Sequence, residues 1–98
     1  MRVLFTASAE RQLDSLHRYI SDHAGERMAD RYIGRIIAFC EGFSMFPLRG
    51  AARDDLLPGL RTIGFEQRAT IAFTVTADAV LVEGVFYGGQ DFEANFRG

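Results

Sequence analysis

The chain has 98 residues, 48% of them hydrophobic and 24% charged, with a formal net charge of −2. That size and mixture describe one folded domain and argue against whole-chain disorder. The acidic balance argues against a general nucleic-acid binder, and no run is long and apolar enough to span a bilayer.

Val3-Leu4-Phe5 is a short strand candidate, in an N-terminal apolar run too short for a signal peptide. Thr6 then offers a hydroxyl cap, and Glu10 lies where a helix start favours negative charge. Apolar residues at Ala9, Leu13, Leu16, Ile20 and Ala24 step by four, three, four and four, which is one helical face. Gly25 is placed to stop that helix.

A second helix is predicted at once, from the stripe Met28, Tyr32, Ile36, Phe39 and Phe43. Ala29, Ile33, Ile37 and Cys40 widen it, so this helix should bury against both the first helix and a sheet. The tight link at Gly25 makes the pair an antiparallel hairpin. Pro47 and Gly50 end the segment, and Phe46 to Gly59 reads as a loop kept wet by Arg53-Asp54-Asp55.

After Gly59 the period changes to two. Leu60 onward, Ala69 to Thr76 and Val80 to Tyr87 read as strands, with turns near IGFEQ and at Thr76–Ala79. The order is β-α-α-β-β-β, an α+β fold. It is expected as an antiparallel meander with the helical hairpin on one face and the first strand added to the sheet. Residues 1–98 form one domain in this reading.

Chemistry-bearing motifs are sparse. No phosphate-binding glycine loop occurs. His17 and His23 are six residues apart on one helix, off a common face, and Cys40 is the one thiol, so neither a metal site nor a disulfide is expected. A single cysteine fits a reducing compartment, and the expectation is a soluble cytoplasmic protein without membrane contact or cofactor. Cys40 reads as core.

All eleven basic residues are arginines, a side chain that holds bidentate contacts but does not titrate near neutrality. Seven of them face six acidic residues in positions 1–50, against four and seven in positions 51–98. Arg27, Arg31 and Arg35 repeat every four residues, and like charges so spaced repel. Pairing with Asp14, Asp22 or Asp30 would relieve them, as would an acidic partner segment. Arg61 and Arg68 flank the IGFEQ turn that carries Glu66, and Tyr87, Gly88-Gly89 and Gln90 end the last strand. In a meander these groups could gather near one sheet edge.

Four segments carry a resemblance: AERQLDSLHRYISDHAGERMADRYIGRI, FSMFPLRG, PGLRTIGFEQRATIAFTV and VEGVFYGGQDFEANF. The chain resembles the RelE/ParE superfamily of bacterial toxins from type II toxin–antitoxin modules, and within it the ParE branch. The pattern includes Tyr19-Ile20, F-P-x-x-G at Phe46 to Gly50, G-L-R at Gly59 to Arg61, and a tail resembling His-Gly-x-Arg-Asp. The tail departs from the pattern: Gly84 stands for an arginine, Tyr87 for the histidine and Gln90 for the arginine, while Asp91 is kept.

The resemblance implies a toxin neutralised by a ParD-like antitoxin in a hetero-oligomer. ParE-like members bind and inhibit DNA gyrase, whereas RelE-like members cut mRNA on the ribosome. Cleavage needs a base, an acid and cations. Here Glu66 and Tyr87 are the only nearby candidates, and the lysine cluster usual in RelE-like nucleases is absent. A non-enzymatic gyrase inhibitor with no direct nucleic-acid contact is therefore favoured, with no catalytic residue. Arg61, Arg68, Tyr87, Gln90 and Phe92 are the expected target contacts, and Arg27, Arg31 and Arg35 the expected antitoxin contacts. The alternatives are a RelE-like endoribonuclease and a degenerate, non-toxic member that only binds antitoxin.

Overall fold

The structure, a computed structural model, describes residues 1–97. It opens with β1 (Arg2–Phe5) and α1 (Ala7–Ala24). Thr6 is extended, and its hydroxyl accepts the Ala9 N–H at 3.1 Å, satisfying one of the free donors of the helix start. Such a cap is worth about 1 kcal/mol. Gly25, at φ 95°, closes α1 by donating to the Ser21 carbonyl and opens α2 (Glu26–Glu41) by accepting from Ala29. One left-handed glycine thus serves both helix ends, which keeps the hairpin tight.

The predicted stripes face inward over most of their length, with Ala9, Leu13 and Leu16 buried on α1 and Ala29, Ile36 and Cys40 on α2, but Ala24 and Met28, beside the Gly25 link, are exposed. A single 3₁₀ turn, Gly42–Ser44, follows and turns Phe43 into the core, where its ring stacks on Phe73 at 4.4 Å.

The chain then forms β2 (Ala51–Ala52), β3 (Leu60–Phe65), β4 (Ala69–Val75) and β5 (Ala79–Tyr87), and ends in α3 (Phe92–Phe96). The sheet order is β1-β5-β4-β3-β2. The meander of β3, β4 and β5 is antiparallel, as the sequence predicts, but β1 lies parallel to β5, with Arg2 opposite Ala79 and Phe5 opposite Val82. The sheet is therefore mixed. A parallel neighbour needs a long crossover, and here nearly the whole chain supplies it.

A bulge between β4 and β5 shifts the register at Ala72/Phe73. It resets the alternation, so that Val80 and Val82 before it and Val85 after it all enter the core beneath the helices. Beyond the bulge the opposite face carries Phe86, which clusters with Leu60 and Ala72. Leu56, Phe92 and Phe96 pack over this second cluster.

Two elements were not expected from the sequence. β2 is a two-residue edge inside the predicted loop. α3 forms in the tail that follows the last predicted strand. Asp91 caps it by accepting the N–H groups of Glu93 and Ala94, and Arg53 bridges Asp55 and Glu93 to hold it to the 53–55 loop. Among the described residues no helix is long and apolar enough to cross a membrane.

Candidate functional site

The strand β1 pairs only with Ala79–Val82, so the second half of β5 has no neighbouring strand on that side. An uncovered edge presents backbone donors that seek partners. Side chains occupy them here. The Val85 N–H donates to Gln12 Oε1 of α1 at 2.7 Å, and the Tyr87 N–H donates to Gln90 Oε1 of the tail at 2.7 Å. Between α1 and this edge lies a groove of about 690 Å³ lined by Ser8, Arg11, Gln12, Ser15, Tyr19 and Tyr87, among others.

Above the groove three tyrosines form a chain. The Tyr87 ring is 6.2 Å from Tyr19 and meets Tyr32 edge-on at 5.8 Å, and Tyr32 in turn meets Phe65 at 5.9 Å. Edge-to-face rings at these separations attract beyond their buried area. The Tyr32 hydroxyl is buried without a hydrogen-bond partner, and burial first, then the neighbouring Tyr87 and Glu66, push its pKa up from 10. It stays protonated near neutral pH.

The β3–β4 turn completes this end of the molecule. Glu66 and Gln67 have φ of 50° and 62°, and Arg68 N donates to Phe65 O, which makes a type I′ turn built without glycine. Arg35 reaches across from α2 to take both Glu66 oxygens, Nε–Oε2 at 2.9 Å and Nη2–Oε1 at 3.1 Å, while its guanidinium lies 5.2 Å from the Tyr32 ring centre. Those hydrogen bonds hold the Glu66 carboxyl below its usual range. A carboxylate so held is a weak acceptor of a further proton.

The structure brings together Arg68, Tyr87 and Gln90, with Arg35 and Glu66 beside them. Arg68 is exposed, and its carbonyl accepts the Gly88 N–H at 2.7 Å, which joins the β3–β4 turn to the end of β5. Arg61 lies elsewhere. It is four residues, roughly 13 Å, along β3 from the turn, and its guanidinium donates to the carbonyls of Leu48, Arg49 and Gly50. Phe92 is on the other face, 6.1 Å from Phe86 and under the Arg53 guanidinium.

Of the arginine row, Arg35 pairs with Glu66 rather than with Asp14, Asp22 or Asp30, and Asp30 pairs with His17 at 2.7 Å. Arg27 and Arg31 are exposed and make no ion pair among the described residues. The His23 Nδ1–H donates to the Tyr19 carbonyl within α1, at 2.7 Å. Cys40 is fully buried, and burial pushes its thiol up to about 12, so it is core and a poor nucleophile.

Sequence reading overlooked Gln12. Its signal was available: Ser8, Gln12, Ser15 and Tyr19 repeat at helical spacing, a polar stripe running beside the apolar one.

Comparison with known proteins gives this geometry a family. A curated relative, Toxin ParE3 of Caulobacter vibrioides (strain ATCC 19089 / CIP 103742 / CB 15), is 36% identical over 61 residues, which is 62% of this chain and 61% of that protein's length. In structure, the fold matches a chain of the chromosomal ParDE TA system from P. aeruginosa with a TM-score of 0.78, covering 90% of this chain and 96% of that one at 20% identity. The family model for the ParE toxin of type II toxin–antitoxin systems (parDE) matches residues 3–92. On that match over nearly its whole length, the chain belongs to the ParE toxin family of type II toxin–antitoxin systems.

Proposed function

We propose that this ParE-family toxin acts by binding a protein, DNA gyrase, in the cytoplasm, and that a ParD-like antitoxin neutralises it in a hetero-oligomer. One observation carries the reading. At the open end of β5 an exposed arginine, packed tyrosines and amide-capped backbone meet, while the Glu66 carboxylate beside them is gripped by Arg35. Such a surface recognises; it is poorly equipped to move a proton. The RelE-like alternative would need Glu66 as its base, and the Arg35 pairing works against that role.

The proposed target-binding set is Arg61, Arg68, Tyr87, Gln90 and Phe92. Arg68 and Tyr87 contribute charge-assisted and aromatic contacts directly. Arg61 and Phe92 act through the segments they hold, the 48–50 loop and α3. For the antitoxin we assign Arg27 and Arg31, with Arg35 at the end of their row, as the electrostatic guide for an acidic amphipathic segment. The extended continuation of that segment fits the groove and the free edge of β5.

Induced expression without antitoxin tests both readings at once. A DNA-damage response with intact transcripts is expected, and Arg68→Ala and Tyr87→Ala should relieve growth arrest while remaining folded by circular dichroism. Ribosome-dependent mRNA cuts that vanish in Glu66→Gln would overturn the proposal in favour of a nuclease.

A further inference from the structure

We infer that residues 88–97 form a strap whose docking on one face of the sheet depends on whether the β5 edge is vacant. The inference rests on the reading of that edge as the antitoxin slot. Its physical centre is one hydrogen bond. Gln90 Oε1 takes the Tyr87 N–H at 2.7 Å, and the Gln90 N–H returns to the Tyr87 carbonyl at 3.4 Å. Gln90 is therefore a substitute for the missing neighbour strand.

The same short segment fixes α3. Asp91, the next residue, caps that helix, and Phe92 and Phe96 each lie 6.1 Å from Phe86 on the sheet face opposite the helical hairpin. A five-residue helix does not sustain itself in water. It stays where its anchors hold it: the aromatic contacts, the Arg53–Glu93 bridge, and the fixed starting point that Gln90 provides.

An extended segment entering the groove needs the Tyr87 N–H for its own ladder. The Gln90 acceptor must then leave. Gly88, at φ 65°, and Gly89 make the released turn pliable. The tail loses its fixed start, α3 loosens, and Phe86 and Leu60 lose cover. Gln12 caps Val85 in the same way, but it sits on an 18-residue helix anchored by its own apolar stripe, so its displacement moves nothing else. Occupancy of the groove is thus transmitted through β5 to the far face, a linkage between antitoxin binding and the state of the tail.

Amide exchange measured by NMR on the full chain tests this. Gln90→Ala should speed exchange at Tyr87 and at the α3 amides several-fold and leave α1 and α2 unchanged. Gln90→Glu, which retains an acceptor oxygen, should restore the original rates. In the complex with co-expressed antitoxin, Tyr87 should become slower and α3 faster. If Gln90→Ala leaves α3 protection intact, or if antitoxin slows Tyr87 and α3 alike, the strap is overturned. If antitoxin leaves the Tyr87 amide untouched, the docking reading fails instead, whatever the free Gln90→Ala variant shows.

Discussion

Arg35 holds Glu66 across 31 residues of sequence, with both guanidinium contacts near 3 Å: 2.9 Å to Oε2 and 3.1 Å to Oε1. The pair ties the middle of α2 to a turn whose central residues are both left-handed and neither of them glycine. A side chain in that conformation costs roughly 1–2 kcal/mol. The ion pair and the turn therefore hold each other in place at the proposed functional end.

Relief of the turn strain follows from this. Gln67 is exposed at φ 62°, so Gln67→Gly should stabilise the protein by about 0.5–1 kcal/mol, read as a raised urea midpoint at unchanged slope. An unchanged or lowered midpoint would show that the Gln67 side chain contributes something the turn geometry does not reveal.

The Arg35–Glu66 pair also sets an acid dependence. Glu66 would ordinarily titrate at 4.5, and hydrogen bonding to Arg35 holds it lower in the fold. The contribution is complete above that ordinary value and disappears as pH falls through the folded value. Stability of the native chain and of Glu66→Gln should differ above pH 4.5 and converge as the pH falls below it, by urea unfolding at each pH. Asp55, lowered in the same way by Arg53, adds to the acid loss that remains in the variant.

Gly84 is a packing requirement. A Cβ there would lie 2.6 Å from two Phe86 ring atoms and 3.1 Å from Gln12 Oε1. Gly84→Ala should destabilise by about 1–3 kcal/mol and loosen α3, because the ring that Phe92 and Phe96 cover must shift. Urea unfolding together with α3 amide exchange would report both effects.

Charge reversal on the outer face of α2 separates the two binding surfaces. Arg27→Glu with Arg31→Glu should weaken antitoxin binding by about tenfold, more at low salt, through slower association. The gyrase inhibition proposed for the free toxin should remain. Isothermal titration at two ionic strengths and a supercoiling assay would check the two halves.

Helices and strands were legible in the sequence because each needs only its own neighbours. The steps of Ala9, Leu13 and Leu16, the hydroxyl of Thr6 and the left-handed Gly25 act within a turn or two of chain, and they specify α1, its start and the hairpin link. The β-branched runs did the same for β4 and β5. The lone buried Cys40 followed from the same stripe.

The candidate site was only partly legible, because its members meet through register. Arg68, Tyr87 and Gln90 were singled out from the sequence, but pairing of Ala69 with Tyr87 brings them together and leaves Arg61 at the other end of β3. The bulge that reverses the alternation within β5 is marked locally only by Gly84 beside it, which does not set the register, and it decides that Phe86 faces α3 while Val85 faces the helices. So the sequence by itself determined β1, α1, α2 and β3 to β5, their order and the chemistry on offer, but neither β2 nor α3. The tertiary structure alone decided that β1 stops short, that two glutamines stand in for the strand it does not supply, and that Arg35 meets Glu66. Short-range backbone preference acts between near neighbours, whereas each of those contacts depends on where distant segments come to lie.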